Sequence, residues 1–580
     1  MDSIDSGSNY RFGNQKPVSS PPRSQFDLSH GVETTVNNCG SLIPITWFET
    51  VPGDSFDFSA SSLLRVLPQV VPLYSRQRLY FYCFWDRMSS LWKNWNTYLK
   101  KGNDGKTLLT RPSCSSANMS TYSDIIKADD VADYLGLPQG HSISEIVDSC
   151  GHCSVLPFFM YYKIWRDYFM NRNLYINNKV LLPDDEDDFR LDINGELISN
   201  QYATSEEEKI TFGKLLYRDY PDDRFTSALP FAQRGEQPSL PLKVSSSDDI
   251  PLSFAYPYGN AYANTVYSVY GVSSDHKIIG SSIQRNALSS TGGPSTSSFV
   301  NSGISSLDKS SIPFNLSSED LNLALSSGGV NFTLDQFRNL AIATDELEKM
   351  ARTDGSYASF GLAFFGRVSE NADDYRTVFV GGCYQNVAFS EVLQTSQSTD
   401  NSPLGTFAGH GISFNQNGNL GHLECDDFGI CMIVASVMPD IYYSQGVSSA
   451  WTRSVQSEEF LPDREKVGLV PILNRELFFT GDSEKDNDLF AYQNPFDEMR
   501  YIENKITGKI ADSTNLSFFP YTQSRVFTSL PTYSQEFFRA DNVRKDYLYA
   551  PIEDAYSLSV RFSIRGVRPL PYVHQSARVI

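Results

Sequence analysis

Apolar residues in this chain recur mostly with a period of two, and where that alternation fails, both sets of alternate positions are apolar. In "RLYFYCFWD" (Arg78–Asp86), Leu79, Phe81, Cys83 and Trp85 alternate with Tyr80, Tyr82 and Phe84, the pattern of a strand covered on two faces. "ICMIVASVM" (Ile430–Met438) and "YSLSVRFSIRGV" (Tyr556–Val567) are further β-rich runs, set off by Pro, Gly and Asp/Asn turns. Strand-forming segments near both ends flank a loop-rich middle. That layout predicts an antiparallel sandwich in which distant segments pair and long connections carry the extra mass.

Three stretches carry the helical period instead. After the first strand, Met88, Leu91, Trp92, Trp95 and Leu99 fall on one side, with Ser90, Lys93, Asn94 and Asn96 on the other. In "FTLDQFRNLAIATDELEKMAR" (Phe332–Arg352), Thr333 can cap with Gln336 three residues on, and Leu334, Phe337, Leu340 and Ile342 supply a packing surface. The third stretch, "YYKIWRDYFMNRNLY" (Tyr161–Tyr175), packs six aromatic rings and three cations into fifteen positions. Rings beside cations are the usual signature of single-strand nucleic-acid binding. A helix opened by Pro157, however, puts Phe158, Tyr161, Tyr162, Trp165, Tyr168 and Phe169 on one broad face and Lys163, Arg166 and Asp167 on the other. Base stacking needs rings and cations interleaved on one exposed surface. Segregated, with Lys163 and Asp167 spaced for an i,i+4 pair, they point to a packing helix whose rings dock on the main domain.

Composition narrows the function classes. The 580 residues hold 48 Lys+Arg against 68 Asp+Glu, a formal charge of -20, so any contact with a polyanion must be local. Aromatics at 13% with abundant Gly, Pro and Ser lean toward β-sheet with ordered loops. No apolar run approaches the roughly 18 residues needed to span a bilayer, and the opening residues lack a signal-peptide pattern. Eight cysteines and seven scattered histidines build neither a disulfide scaffold nor a metal cluster, so a reducing cytoplasm is the simplest setting. Residues 1 to 24 read as a polar arm without a core, residues 25 to 580 as a single domain, and 184 to 330 as surface insertions, acidic at Asp184–Asp188 and then rich in Ser and Gly.

Few motifs carry chemistry. "CGHC", Cys150 to Cys153, is the tetrapeptide of thiol–disulfide exchange, but Ser149 stands where such enzymes usually have Trp, and no βαβ context surrounds it. Cys114, Cys425 and Cys431 offer no second ligand pair for zinc. "FAGHG" (Phe407–Gly411) reads as a tight turn, and "HLECDD" (His422–Asp427) as an incomplete ligand set. No catalytic residue, metal site or cofactor is expected. The C-terminal segment, residues 561 to 580, carries Arg561, Arg565, Arg568 and Arg578 without a carboxylate. These arginines could hold phosphates or pair with acidic residues at subunit contacts.

Read in order, many of these strings resemble the major capsid proteins of the Microviridae, the small single-stranded DNA phages, nearer to the gokushovirus-like groups than to the enterobacterial ones. They include "PRSQFDLSHGVETT", "ITWFETVPGDSFDF", "FYCFWDRMSSLWKNW", "LPFFMYYKIWRDYFMNRNLY", "VFVGGCYQNVAFSEVLQTS", "LGTFAGHGISF", "SQGVSSAWTRS", "VGLVPILNREL" and "ENKITGKI". Each is moderately specific, and their colinearity carries the resemblance. It implies a mainly β fold, a viral antiparallel jelly-roll β-sandwich of about eight strands with long loop insertions and a few short helices. It also implies self-assembly into a small T=1 icosahedral capsid around circular ssDNA, without enzymatic activity. The implied partners are further copies of the chain, genomic ssDNA on the inner surface, a small basic DNA-binding protein, an internal scaffolding protein, a DNA pilot protein and a host receptor such as a glycan. Two rival readings stand beside it: a jelly-roll carbohydrate-binding or adhesion protein, and a thiol oxidoreductase built on Cys150 and Cys153.

Overall fold

Period-two runs from both ends of the chain pair into one antiparallel sheet in a computed structural model, which describes residues 22–236, 266–272, 278–284, 334–353, 357–367, 375–390 and 410–573. The strands are β1 (Ser24–Asp27), β2 (His30–Val36), β3 (Ser41–Thr50), β4 (Ser55–Val66), β5 (Gln77–Arg87), β6 (Leu216–Tyr217), β7 (Val266–Val272), β8 (Ile278–Gln284), β9 (Val378–Ser390), β10 (His410–Glu424), β11 (Gly429–Pro439), β12 (Val470–Leu473), β13 (Leu489–Gln493) and β14 (Tyr556–Arg568). Ten of them form a sheet of order β1-β14-β4-β10-β9-β5-β11-β3-β6, with β2 also on β14. The last strand thus lies between the first strands and β4. β12 pairs with β13, and β7 with β8, as separate hairpins.

The large sheet folds back over an inner core without closing into a barrel. Phe56, Leu64, Val560 and Phe562 from β4 and β14 share that core with Phe81, Cys83, Ile433 and Val437 from β5 and β11. β9 and β10 approach so closely at their crossing that a Cβ on Gly381 would stand 2.4 Å from the Leu420 carbonyl oxygen. At Gly421 the backbone also turns to φ +112, a region that favours glycine. β11 is buried at every position, and the reason is a second core behind it. Cys431, Ile433 and Val437 face the inner core, while Ile430, Met432 and Val434 meet Phe84 and the helix α5 (Leu156–Tyr168). A run apolar in both phases is what such double cover demands.

Three expectations need correction. The helix expected after β5 is two pieces, α1 (Met88–Leu91) and α2 (Trp95–Lys100). Between them Trp92 is extended and bridges to Leu191, and its Nε1–H donates to the Asp192 carbonyl at 2.9 Å. In consequence Leu99 is exposed and Ser90 is buried, the reverse of a single stripe. The helix Leu334–Ala351 forms, yet Phe337 and Ile342 are exposed; Thr333 lies outside the described residues. The described start of the insertion stretch is packed and not merely surface: Phe189, Leu191, Leu197 and Phe212 are all buried in the second core.

The chain divides into two units, Met1–Gln237 with Thr344–Ile580, and Pro238–Ala343. The second falls mostly in the Ser/Gly-rich stretch, and its described parts are the β7–β8 hairpin and the first turns of Leu334–Ala351. Residues 1–21, most of the polar arm, lie outside the described residues.

Candidate nucleic-acid interface

The arginine-bearing end of the chain is β14, a strand whose burial alternates almost without a break from Tyr556 to Val567. Its inward residues, Leu558, Val560, Phe562 and Ile564, fill the core, which leaves Arg561 and Arg565 exposed on the outer face. On that face the register sets Arg561 beside Ser61 of β4 and Gly31 of β2, and sets Ser557 beside Arg65. Ser59, Ser61, Ser559 and Ser563 line this face, with Leu63 and the exposed Glu33 in register with Ser559. The period-two pattern of "SFDFSASSLLRV" carries the signal for Arg65, a cation that reading the C-terminal segment alone misses.

Arg565 stands in a cross-strand row of alternating charge. Its register partners are Asp27 on β1 and Asp57 on β4, and Asp57 in turn faces His422 on β10. His422 Nδ1 lies 2.7 Å from Asp57 Oδ1, and Nε2 lies 3.7 Å from Glu424. The hydrogen bond to Asp57 raises the imidazole above its ordinary value. Hydrogen bonds from Ser29 lower Asp27, with a smaller contribution from Arg565. The charges of "HLECDD" are therefore held by neighbouring strands: Asp426 pairs with Arg87 at 2.9 Å. No group of three or more metal-ligating side chains exists among the described residues.

Arg568 is committed elsewhere. It grips Asp54 with two nitrogens, Nε at 3.2 Å and Nη2 at 2.9 Å, and donates to the Glu49 carbonyl at 3.1 Å. Asp54 is fully buried, so this pair pins the end of β14 to the β3–β4 turn and leaves no free phosphate fork. Arg578 lies outside the described residues.

The aromatic helix α5 is buried around nearly its whole circumference. Tyr161 donates to the Leu42 carbonyl at 2.7 Å and accepts from the Leu216 N–H at 2.9 Å. Trp165 Nε1–H donates to the Tyr217 carbonyl at 2.9 Å, and Tyr168 donates to the Thr377 carbonyl at 2.5 Å. Tyr162 packs on Phe189 and Phe212, and Phe169 meets Tyr82 and Phe84. The charged side is not solvated, which corrects the two-faced helix expected from spacing. Lys163 reaches Asp86 and Ser90 in place of Asp167, while Arg166 pairs with Asp167 and lies 3.8 Å over the Phe189 ring.

"CGHC" straddles a helix end. Cys150 is the last residue of α4 (Ile143–Cys150), exposed, and Gly151 closes that helix with a left-handed φ of 77. A thiolate is stabilised at a helix N-terminus, and Cys150 sits at the opposite end. Cys153 is buried and its thiol partner is Cys114, whose backbone N–H also donates to the Cys153 carbonyl at 2.7 Å. "FAGHG" contributes only its last two residues to the described structure, His410 and Gly411 at the start of β10. A cleft of about 530 Å³ lies at the C-terminal end of α5, among Tyr82, Phe169, Phe379, Arg218 and Asp219. Its lining holds neither a histidine nor a cysteine, so it lacks the groups for nucleophilic catalysis of the kind weighed for "CGHC".

With this geometry in place, comparison with known proteins is decisive. The profile of the phage family described as "Capsid protein (F protein)" matches residues 15–578. The chain belongs to this capsid protein family. It is similar to the Capsid protein VP1 of Chlamydia phage 1, 26% identical over 609 aligned positions that cover 96% of this chain and 95% of that protein. It is also similar to the Capsid protein VP1 of Bdellovibrio phage phiMH2K, at 25% identity with 91% and 90% covered. Against the Capsid protein VP1 of Spiroplasma virus 4 it is 24% identical, with 95% and 94% covered. The resemblance to Microviridae capsid proteins carried by the colinear strings is thereby borne out, as is the mainly β fold. As a family member this capsid protein is a structural component of the virus particle and not an enzyme, which sets aside the oxidoreductase reading of Cys150 and Cys153.

Proposed function

We propose that the chain is the major component of a small T=1 icosahedral shell enclosing a circular ssDNA genome. The family match over residues 15–578 carries this reading. Within the shell, Arg561 and Arg565 on the open face of β14 contact DNA phosphates locally, and Arg65 joins them; Arg568 serves the fold. The exposure of Arg561, with serines beside it, and of Arg565 on the same face supports that role, since a flexible strand can reach the cations there. The chain's charge of -20 leaves bulk neutralisation of the genome to a separate small basic protein. An internal scaffolding protein and a DNA pilot protein complete the assembly, and segments within 184 to 330 serve to meet a host receptor such as a glycan. Electron microscopy of particle fractions tests the reading: closed shells containing this chain are expected, and their absence overturns it.

A further inference from the structure

Two segments that follow β11 in sequence invert the usual surface pattern. Residues 448–461 and 496–502 run side by side, joined by the Arg453–Glu498 ion pair and by the Phe460 and Phe496 rings with centroids 5.2 Å apart. Apart from the exposed Glu459, their charged groups are occupied within the chain: Arg500 pairs with Asp497 at 2.6 Å, and Glu458 accepts the Ser454 and Val455 N–H groups at 2.6 and 3.3 Å. What projects outward is apolar. Trp451 is 84% exposed and Ile502 90%, and Phe460, Leu461, Met499 and Tyr501 are exposed along the same two segments.

We infer that this surface is a contact between neighbouring copies of the chain, a proposal that rests on the shell-forming reading above. The six side chains offer on the order of 700 Å² of apolar area, close to the roughly 800 Å² per partner of a stable protein–protein interface. A soluble monomer rarely leaves so large an apolar patch in water. The occupant is a second copy because copies of net charge -20 repel at long range, and a largely apolar contact with few unpaired charges is the kind that overcomes that repulsion. A polyanion finds no free cation here. Trp451 is the kind of anchor that dominates such contacts.

Trp451 also reports on its own burial. Of the six tryptophans, Trp85, Trp92, Trp95 and Trp165 are buried and Trp47 is partly buried, so acrylamide quenching of the free subunit comes mainly from Trp451. The expected result is a several-fold drop in that quenching when wild-type subunits are compared with intact particles. The double variant Trp451→Ser/Ile502→Ser should keep the circular dichroism of the wild type yet give at least tenfold fewer closed particles. Leu108→Ser, at another strongly exposed apolar position, should assemble normally. Equal assembly of all three proteins, or undiminished quenching in particles, overturns this contact and leaves the capsid reading intact. Wild-type protein that closes no shells overturns both.

Discussion

Lys163 Nζ lies 2.5 Å from Asp86 Oδ2 inside the protein, with both side chains almost fully buried and the Ser90 hydroxyl completing the ammonium's partners. The pair joins α5 to β5, and Asp86 also accepts from the Thr377 hydroxyl at 3.4 Å, next to the start of β9. Burial raises the Asp86 carboxyl, against the pull of Lys163. Removing the cation alone strands a buried charge, which costs about 3–5 kcal/mol. Lys163→Met should therefore lower the urea midpoint sharply, and Asp86→Asn in the same chain should recover part of the loss. A Lys163→Met protein within about 1 kcal/mol of wild type would count against the pair.

Trp165 gives a second measure of how firmly α5 is docked. Its ring packs against Tyr162 and Tyr175, and its Nε1–H holds the Tyr217 carbonyl of β6. Trp165→Ala opens a large cavity and removes that bond, at a cost of about 3–5 kcal/mol. Soluble expression should fall and thermal unfolding should come earlier. Retained stability with lost DNA binding would return the helix to the nucleic-acid role that its composition first suggests.

Much of this was legible in the sequence, and the failures share a cause. Double apolar phases in "RLYFYCFWD" mark β5 as covered on both faces, and the alternation from Tyr556 to Val567 orients Arg561 and Arg565 outward. Charge partners at long range were not legible. Spacing offers Lys163 only Asp167, whereas its observed partner is 77 residues away, and Arg568 finds Asp54 at a separation of 514. Helix periodicity likewise cannot show that Leu191 will intrude between α1 and α2. Local pattern fixes faces, and the topology chooses which charges meet across them.

Arg561 and Arg565 should separate from Arg568 in their effects. Arg561→Ala with Arg565→Ala removes two exposed cations from a strand whose core residues are untouched. Shell yield should stay near wild type while packaged DNA per particle falls and its retention becomes more sensitive to salt. Arg568→Ala abandons the buried Asp54 and should cost about 3 kcal/mol of stability, lowering shell yield instead. Equal loss of shells in both proteins would mean that Arg561 and Arg565 hold subunits together.

The eight cysteines should divide by access. Cys150 is exposed, and six of the others, Cys383 excepted, are buried. Brief maleimide treatment of the native protein should label chiefly Cys150, and Cys150→Ser should remove most of that labelling. The variant should assemble as the wild type does, because the thiol caps no structure beyond the end of α4. Assembly that depends on Cys150 would require a covalent or metal-linked partner at that helix end.

His422 gives the open sheet face a pH dependence with a definite sign. Its hydrogen bond with Asp57, and more weakly Glu424, lifts its affinity for a proton in the folded chain above the ordinary value near 6.5. A group raised on folding contributes stability that is fully present below its unfolded pKa and is lost as pH rises through the folded value. The imidazole is half exposed, so the contribution stays under about 1 kcal/mol. The wild type should accordingly melt above His422→Gln near pH 6, with the difference disappearing at alkaline pH. Asp57→Asn should shrink the same difference, because the carboxylate supplies the main attraction. A gap between wild type and His422→Gln that widens with rising pH would reverse the sign and exclude this row of charges as its source.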